Sequence, residues 1–136
     1  MVDARNFRRQ LFAELDDCLS REAKSRAGKW LFRGLSQAVI ATPVDTGRAR
    51  GNWHVWFDGE CPEYDPRITD RDGSQAIARG AAAIALWAAT PGRLSETQMA
   101  IGNAAPYAIG LEFGTAHRKA AGMLALARQQ LAVTEI

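Results

Sequence analysis

The residues best equipped for chemistry lie in one stretch, Pro43-Val44-Asp45-Thr46-Gly47-Arg48-Ala49-Arg50-Gly51-Asn52-Trp53. Its Asp-Thr-Gly triplet is that of aspartic proteases, in which two carboxylates share a proton and activate a water. The setting argues against that chemistry. A protease triplet follows a strand and precedes Ser or Ala, whereas Asp45-Thr46-Gly47 follows a helical pattern and precedes Arg48, whose charge favours plain ionisation. Arg48 and Arg50, read as the start of a strand, project to one face close to Trp53 and Trp56. A basic and aromatic surface of this kind binds nucleic acid by phosphate contact and stacking, or it forms a protein interface, where Arg and Trp are over-represented. With 17 basic and 15 acidic residues the net charge is only +2, which favours the interface.

The remaining candidates for chemistry are thin. His54 and His117 have no Cys or His at metal-ligand spacing, and neither Cys18 nor Cys61 begins a C-x-x-C, so neither a zinc centre nor a disulfide framework is expected. A reducing compartment is the default. A Cys-His nucleophile pair has no local support, and His54 reads as a packed or half-exposed strand residue. Gly47 and Gly51 lack the Gly-Lys-Ser/Thr ending of a phosphate loop. No cofactor is expected.

The elements that must position these residues follow from periodicity. Phe7, Leu11, Leu15, Cys18, Ala23, Ala27, Trp30, Leu31, Leu35, Ala38 and Val39 recur at three- and four-residue steps, which predicts a helix over residues 3–41, continuous or broken at Gly28. Arg8, Arg9, Asp16, Asp17, Arg21, Glu22 and Lys24 form its solvated face. Pro43 ends it. Asp45-Thr46-Gly47 is a turn, in which Asp45 can accept backbone N–H bonds and Gly47 can take positive φ. From Asn52 onward Trp53, Val55 and Phe57 alternate with His54 and Trp56, as in a strand.

Residues 58–72 carry the glycine, prolines and acids of a loop. Asp72 or Ser74 caps a second helix through Ile77, Ala81, Ile84, Ala85 and Ala88 to the stop at Pro91-Gly92, its small residues suited to close packing. Residues 96–103 alternate as a strand. Pro106 and Gly114 bracket a short helix, 115–121 is a basic connector, and 122–133 closes with a helix carrying Met123, Leu124, Ala127 and Leu131 on one face. The expectation is one α+β domain over residues 1–136 with a long N-terminal helix, a small antiparallel sheet, an alanine-rich middle helix and a C-terminal helix. Residues 1–10 carry no secretory signal pattern, and the longest apolar run, 81–89, is too short to span a bilayer, so no membrane partner is expected.

Three segments together resemble the neck or tail-completion proteins of long-tailed bacteriophages, also described as minor tail or head-tail connector proteins. The first is the Pro43-Val44-Asp45-Thr46-Gly47 turn with the basic stretch to Trp53. The second is Ile101-Gly102-Asn103-Ala104-Ala105-Pro106-Tyr107-Ala108, continuing to Leu111-Glu112-Phe113-Gly114-Thr115. The third is Ala120-Ala121-Gly122-Met123. Residues 59–92 lie outside the resemblance.

The resemblance implies a virion structural protein and no enzyme. It implies a homo-oligomeric ring of roughly six or twelve copies with heterologous contacts, docked to other connector and tail proteins. The genome DNA passes through its channel without specific binding. The implied location is the virion neck, after assembly in the host cytoplasm. The expected interface residues are Asp45, Arg48, Arg50, Trp53, Tyr107, Glu112, Phe113, Arg118 and Lys119. Within a subunit the Asp45 turn and residues 107–114 are expected to pack together, unless Asp45, Asn103 and Tyr107 serve only turn and cap hydrogen bonds. Arg118 and Lys119, on the connector, are expected at the lumen or at the neighbouring ring. The alternative function is a small nucleic-acid-binding module built on Arg48, Arg50 and the nearby tryptophans.

Overall fold

The computed structural model describes residues 4–94, 97–115 and 119–132. Helix α1, Ala4–Ala41, runs unbroken for 38 residues through Gly28, a length of about 57 Å. Its C-terminal half supplies Ala27, Leu31, Leu35, Ala38 and Val39 to the core. The N-terminal half does not: Phe7, Leu11 and Leu15 are 61%, 44% and 48% exposed. The apolar stripe therefore continues into a half of α1 that the described elements leave largely uncovered, although Arg93 reaches it to pair with Asp16 at 2.7 Å. Lys24, expected on the wet face, is buried instead. Its ammonium donates to the Thr90 carbonyl at 2.7 Å and lies 5.2 Å from the centre of the Trp87 ring, so both the charge and the stem have partners.

After α1 come a one-turn helix α2, Arg48–Gly51, and strand β1, Trp53–Phe57. Helix α3 spans Ser74–Ala89, strand β2 Met99–Asn103, helix α4 Ala108–Phe113 and helix α5 Met123–Ala132. The strands form a two-stranded antiparallel sheet in register from Trp53 opposite Asn103 to Phe57 opposite Met99. The molecule is α+β, as the periodicities imply. The alternation in β1 sends Trp53 and Val55 into the core. There they meet Leu35 and Val39 of α1, Ala76 and Ile84 of α3, Leu111 of α4 and Met123 of α5.

Helix α3 packs closely, through a face rotated from the expected one. Ala76, Gly80, Ile84 and Trp87 are its buried residues, while Ala85 is exposed and Ile77, Ala81 and Ala88 are only partly covered. The rotation lays side chains of one helix directly on the glycine backbone of the other: a Cβ on Gly80 would overlap the Leu35 side chain, and one on Gly28 would sit 2.8 Å from that of Ile84. Trp87 stacks on Phe57 with ring centres 4.5 Å apart, joining the end of α3 to the sheet. The residue at the cap position is Gly73, in a left-handed conformation, rather than the expected Asp72 or Ser74; Asp72, one residue earlier, accepts the Ser74 N–H at 3.0 Å. The buried carboxylate at this helix start is Asp70, which accepts from the Ala76 N–H at 2.9 Å.

Glycine to alanine in an exposed helix stabilises by roughly 1 kcal/mol, but Gly80→Ala is expected to destabilise by about 1–3 kcal/mol through overpacking. Leu35→Ala is expected to cost about 2–5 kcal/mol. Urea denaturation of the two variants checks both values.

Candidate functional site

The segment from Thr42 to Trp53 reverses the chain from α1 into the sheet. Gly47 makes the reversal possible with φ 87°, and an added Cβ there would stand 2.7 Å from the Arg71 nitrogen. The Gly47 carbonyl accepts from the N–H groups of Gly51 at 2.9 Å and Asp70 at 3.2 Å. Thr46, rather than Asp45, supplies the side-chain oxygen that accepts the Arg48 N–H, at 3.3 Å. These bonds wind Arg48–Gly51 into a helical turn, so the strand starts at Trp53 and the expected basic strand face does not form.

The two arginines consequently have different jobs. Arg48 is exposed. Arg50 turns inward and donates to the carbonyls of Ile40 at 3.0 Å, Thr42 at 2.8 Å and Arg71 at 2.9 Å. Trp53 is 1% exposed, and its indole N–H donates to the Thr42 hydroxyl at 2.7 Å. It is a core residue, not a surface one, and cannot offer a stacking face to a base. Of the basic-aromatic set, Arg48 is exposed and Trp56 half-buried, while Arg50 and Trp53 are taken up by the fold.

Arg79 continues this pattern, donating to the carbonyls of Gly51 at 2.7 Å and Trp53 at 2.6 Å. Burial pushes its pKa down, partly offset by Asp70. Asn52, fully buried, donates to the Arg48 and Asp65 carbonyls and accepts the Asp65 N–H at 3.0 Å. Arg79 lies outside every motif, and Asn52, though within the stretch 43–53, has no expected role there. The available signal was their polarity beside apolar neighbours.

The second resembling segment lies against the first. Asn103 donates to the Ala49 carbonyl at 2.7 Å and accepts the Ala105 N–H at 2.9 Å, which is the turn-and-cap role considered for it. The Ala104 N–H donates to the Asn52 carbonyl at 3.0 Å. Pro43, Asp45, Thr46, Arg48, Tyr107 and Leu111 line one cleft, so the Asp45 turn and the start of α4 share a surface. Tyr107, the residue before α4, makes an edge contact with Tyr64 at 6.3 Å. Burial first, then the Tyr64 hydroxyl, pushes the Tyr107 phenol up to about 12.

Glu112 and Phe113 face another cavity, of about 370 Å³, bounded by Trp53, Ile109, Met123, Leu124 and Arg128. Glu112 accepts the N–H groups of Leu124 at 2.9 Å and Ala125 at 3.1 Å, capping α5. Phe113 and Ile109 are 77% and 74% exposed. The expected residues therefore divide into an exposed set, Asp45, Arg48, Tyr107, Phe113 and Lys119, and a structural set, Arg50, Trp53 and Glu112. Arg118 lies outside the described residues.

Among the described residues no group of three or more His, Cys, Asp or Glu could hold a metal ion, and no helix is long and apolar enough to cross a membrane. Comparison with family models, curated proteins and solved structures found no match to this chain.

Arg50→Ala removes the donor from three carbonyls, of which that of Thr42 is part-buried, and is expected to destabilise by about 1–2 kcal/mol, whereas Arg48→Ala changes stability by no more than about 0.5 kcal/mol. Chemical denaturation separates the two.

His54 supplies a pH test. Burial, with Arg79 adding to it, depresses its pKa from 6.5 to about 4. Between those values the unfolded chain binds a proton that the folded chain does not, so this contribution is present above pH 6.5 and is lost as pH falls towards about 4. His54→Asn is expected to flatten this part of the pH dependence, read from urea midpoints across that window.

Proposed function

We propose that the chain is a structural subunit of the head-tail connector of a tailed bacteriophage, needed for tail completion or for joining head to tail, with no enzymatic step. The observation that carries this reading is the meeting of the two most distinctive resembling segments. The turn at residues 43–53 and the segment at residues 101–115 are separate in sequence, yet they meet where Trp53, the first residue of β1, pairs with Asn103, the last of β2; Asn103 also donates to the Ala49 carbonyl, and Asp45, Arg48 and Tyr107 share one cleft. Segments that carry one function are expected to converge in this way.

The subunit works by oligomerisation. A ring closes through heterologous contacts, in which one patch meets a different patch on the neighbour. Two unlike surfaces flank α4: the polar cleft with Asp45, Arg48 and Tyr107, and the apolar surface of Ile109, Phe113 and Leu124. Joined head to tail they would build a ring of roughly six or twelve copies, docked to further connector and tail proteins, with the genome passing through unbound. Lys119 is exposed before α5, available to the channel lumen or to the neighbouring ring. The protein works in the virion neck and is added in the host cytoplasm, with no cofactor and no membrane contact.

Electron microscopy of particles made with the gene silenced tests the role. Filled heads accompanied by separate or malformed tails are expected; intact, infectious virions would end the proposal. The ring contact is tested by Arg48→Glu combined with Phe113→Asp, both exposed positions. Ring assembly is expected to fail while circular dichroism and thermal unfolding stay unchanged, and normal rings would rule out these surfaces.

A further inference from the structure

The N-terminal half of α1 carries an apolar stripe that no other described element covers. Phe7, Leu11, Phe12, Leu15 and Leu19 are between 44% and 64% exposed. Five large apolar side chains contiguous on one helix face exceed the scattered exposure usual for a soluble surface. The stripe has heptad spacing: Arg8, Leu15 and Glu22 recur at seven-residue steps, Leu11 and Cys18 fill the intervening seam, and Phe12 and Leu19 flank it.

The charges on this seam select its partner. They are symmetric about Leu15 in position and opposite in sign, with Arg8 seven residues before it and Glu22 seven residues after. Leu11 and Leu19 are likewise equidistant, at four residues each way. Two copies laid parallel would set Arg8 on Arg8 and Glu22 on Glu22. Laid antiparallel about Leu15, they set each Arg8 on the other copy's Glu22, each Leu11 on a Leu19, and Leu15 on itself.

We infer that the N-terminal half of α1 pairs with the same half of a second copy as an antiparallel, two-fold symmetric helix pair centred on Leu15. Such an interface is self-complementary, as a two-fold axis requires. Glu22 meets its own Arg26 through one oxygen, Oε1, at 3.0 Å on the exposed surface, and the arriving Arg8 joins that pair. A groove lined by Leu19, Ala23, Ala27 and Leu94 lies at the end of the stripe, where the first turns of the other copy's helix arrive. The pairing segment is an extension of a helix already packed along its other half, so association does not bear the cost of helix nucleation. This inference concerns the isolated chain and does not depend on the connector role.

Sedimentation equilibrium of the full chain is expected to show a monomer–dimer equilibrium. Leu11→Asp with Leu15→Asp is expected to weaken it by roughly 100-fold or more, with near-ultraviolet circular dichroism unchanged because both residues lie outside the core. Arg8→Glu and Glu22→Arg are each expected to weaken the dimer by about tenfold, and the double variant to restore it. A monomeric wild type, a dimer that survives the leucine changes, or assembly beyond two copies through this segment would overturn the inference. Single charge variants that dimerise like wild type would overturn the antiparallel arrangement.

Discussion

The structure depends on how the chain turns from the end of α1 into the core. Between Ala38 and Trp53 several carbonyls fall outside any helix or strand ladder, and an inward carbonyl without a donor is costly. Side chains answer them. Thr42 donates to Ala38 and accepts from the Trp53 indole; Arg50 and Arg79 between them donate to five carbonyls; Asn52 and Asn103 bind the two sides of α2. Once these bonds form, Trp53 has one place to go. Its position sets the β1–β2 register, and that register delivers residues 104–113 to the opposite side of the turn.

Close packing by small residues governs the rest. Gly28 and Gly80 let α1 and α3 approach until Ile84 and Leu35 fill the space that Cβ atoms would take. Gly34 does the same for α5, where an added Cβ would meet Leu131 at 3.0 Å. With α3, α5 and the sheet all gathered on the C-terminal half of α1, the described residues that reach the other half are few: Arg93 pairs with Asp16 at 2.7 Å and Leu94 lies beside Leu19. The long helix and the compact core are two consequences of one arrangement.

This explains what the sequence could and could not convey. Pro106 with Gly114 marked α4, and α2 read as strand; period identified α1, α3, α5 and the two strands, because each apolar repeat reports a face. It could not report what covers that face, so Phe7 and Leu35 read alike although one is exposed and the other buried. Lys24 read as solvated because its partners, Thr90 and Trp87, are more than sixty residues away. Arg48 and Arg50 read as neighbours on a strand face because two-residue spacing was the only local signal. The Gly47 turn and its distant bond to Asp70 wind them into a helix, which sends them in different directions. The meeting of the Asp45 turn with Tyr107 was expected only through the resemblance of the two segments to one family, since nothing in their own spacing joins them. The buried amides and Arg79 were not legible, because a polar residue announces its need for partners without naming them.

The division between Arg48 and Arg50 also explains why one short stretch can carry both fold and surface. Arg50 is committed to the backbone, so the turn is stiff, and Arg48 one half-turn away projects from a support that does not depend on it. Helix α4 repeats the arrangement. Leu111 is buried and Glu112 caps α5, while Tyr107 on one side and Phe113 on the other stay exposed. Gly114, with φ 85°, ends α4, and the Leu111 and Glu112 carbonyls accept from Ala121 and Gly122 at 2.8 and 3.1 Å. Tyr107, just before α4, and Phe113, at its end, are therefore held by one six-residue helix that is tied at its two ends, with Asp45 and Arg48 brought to the Tyr107 side by the turn before β1. A contact made at either surface bears on the same rigid body as a contact made at the other, which is the geometric requirement for subunits that join head to tail at a constant angle.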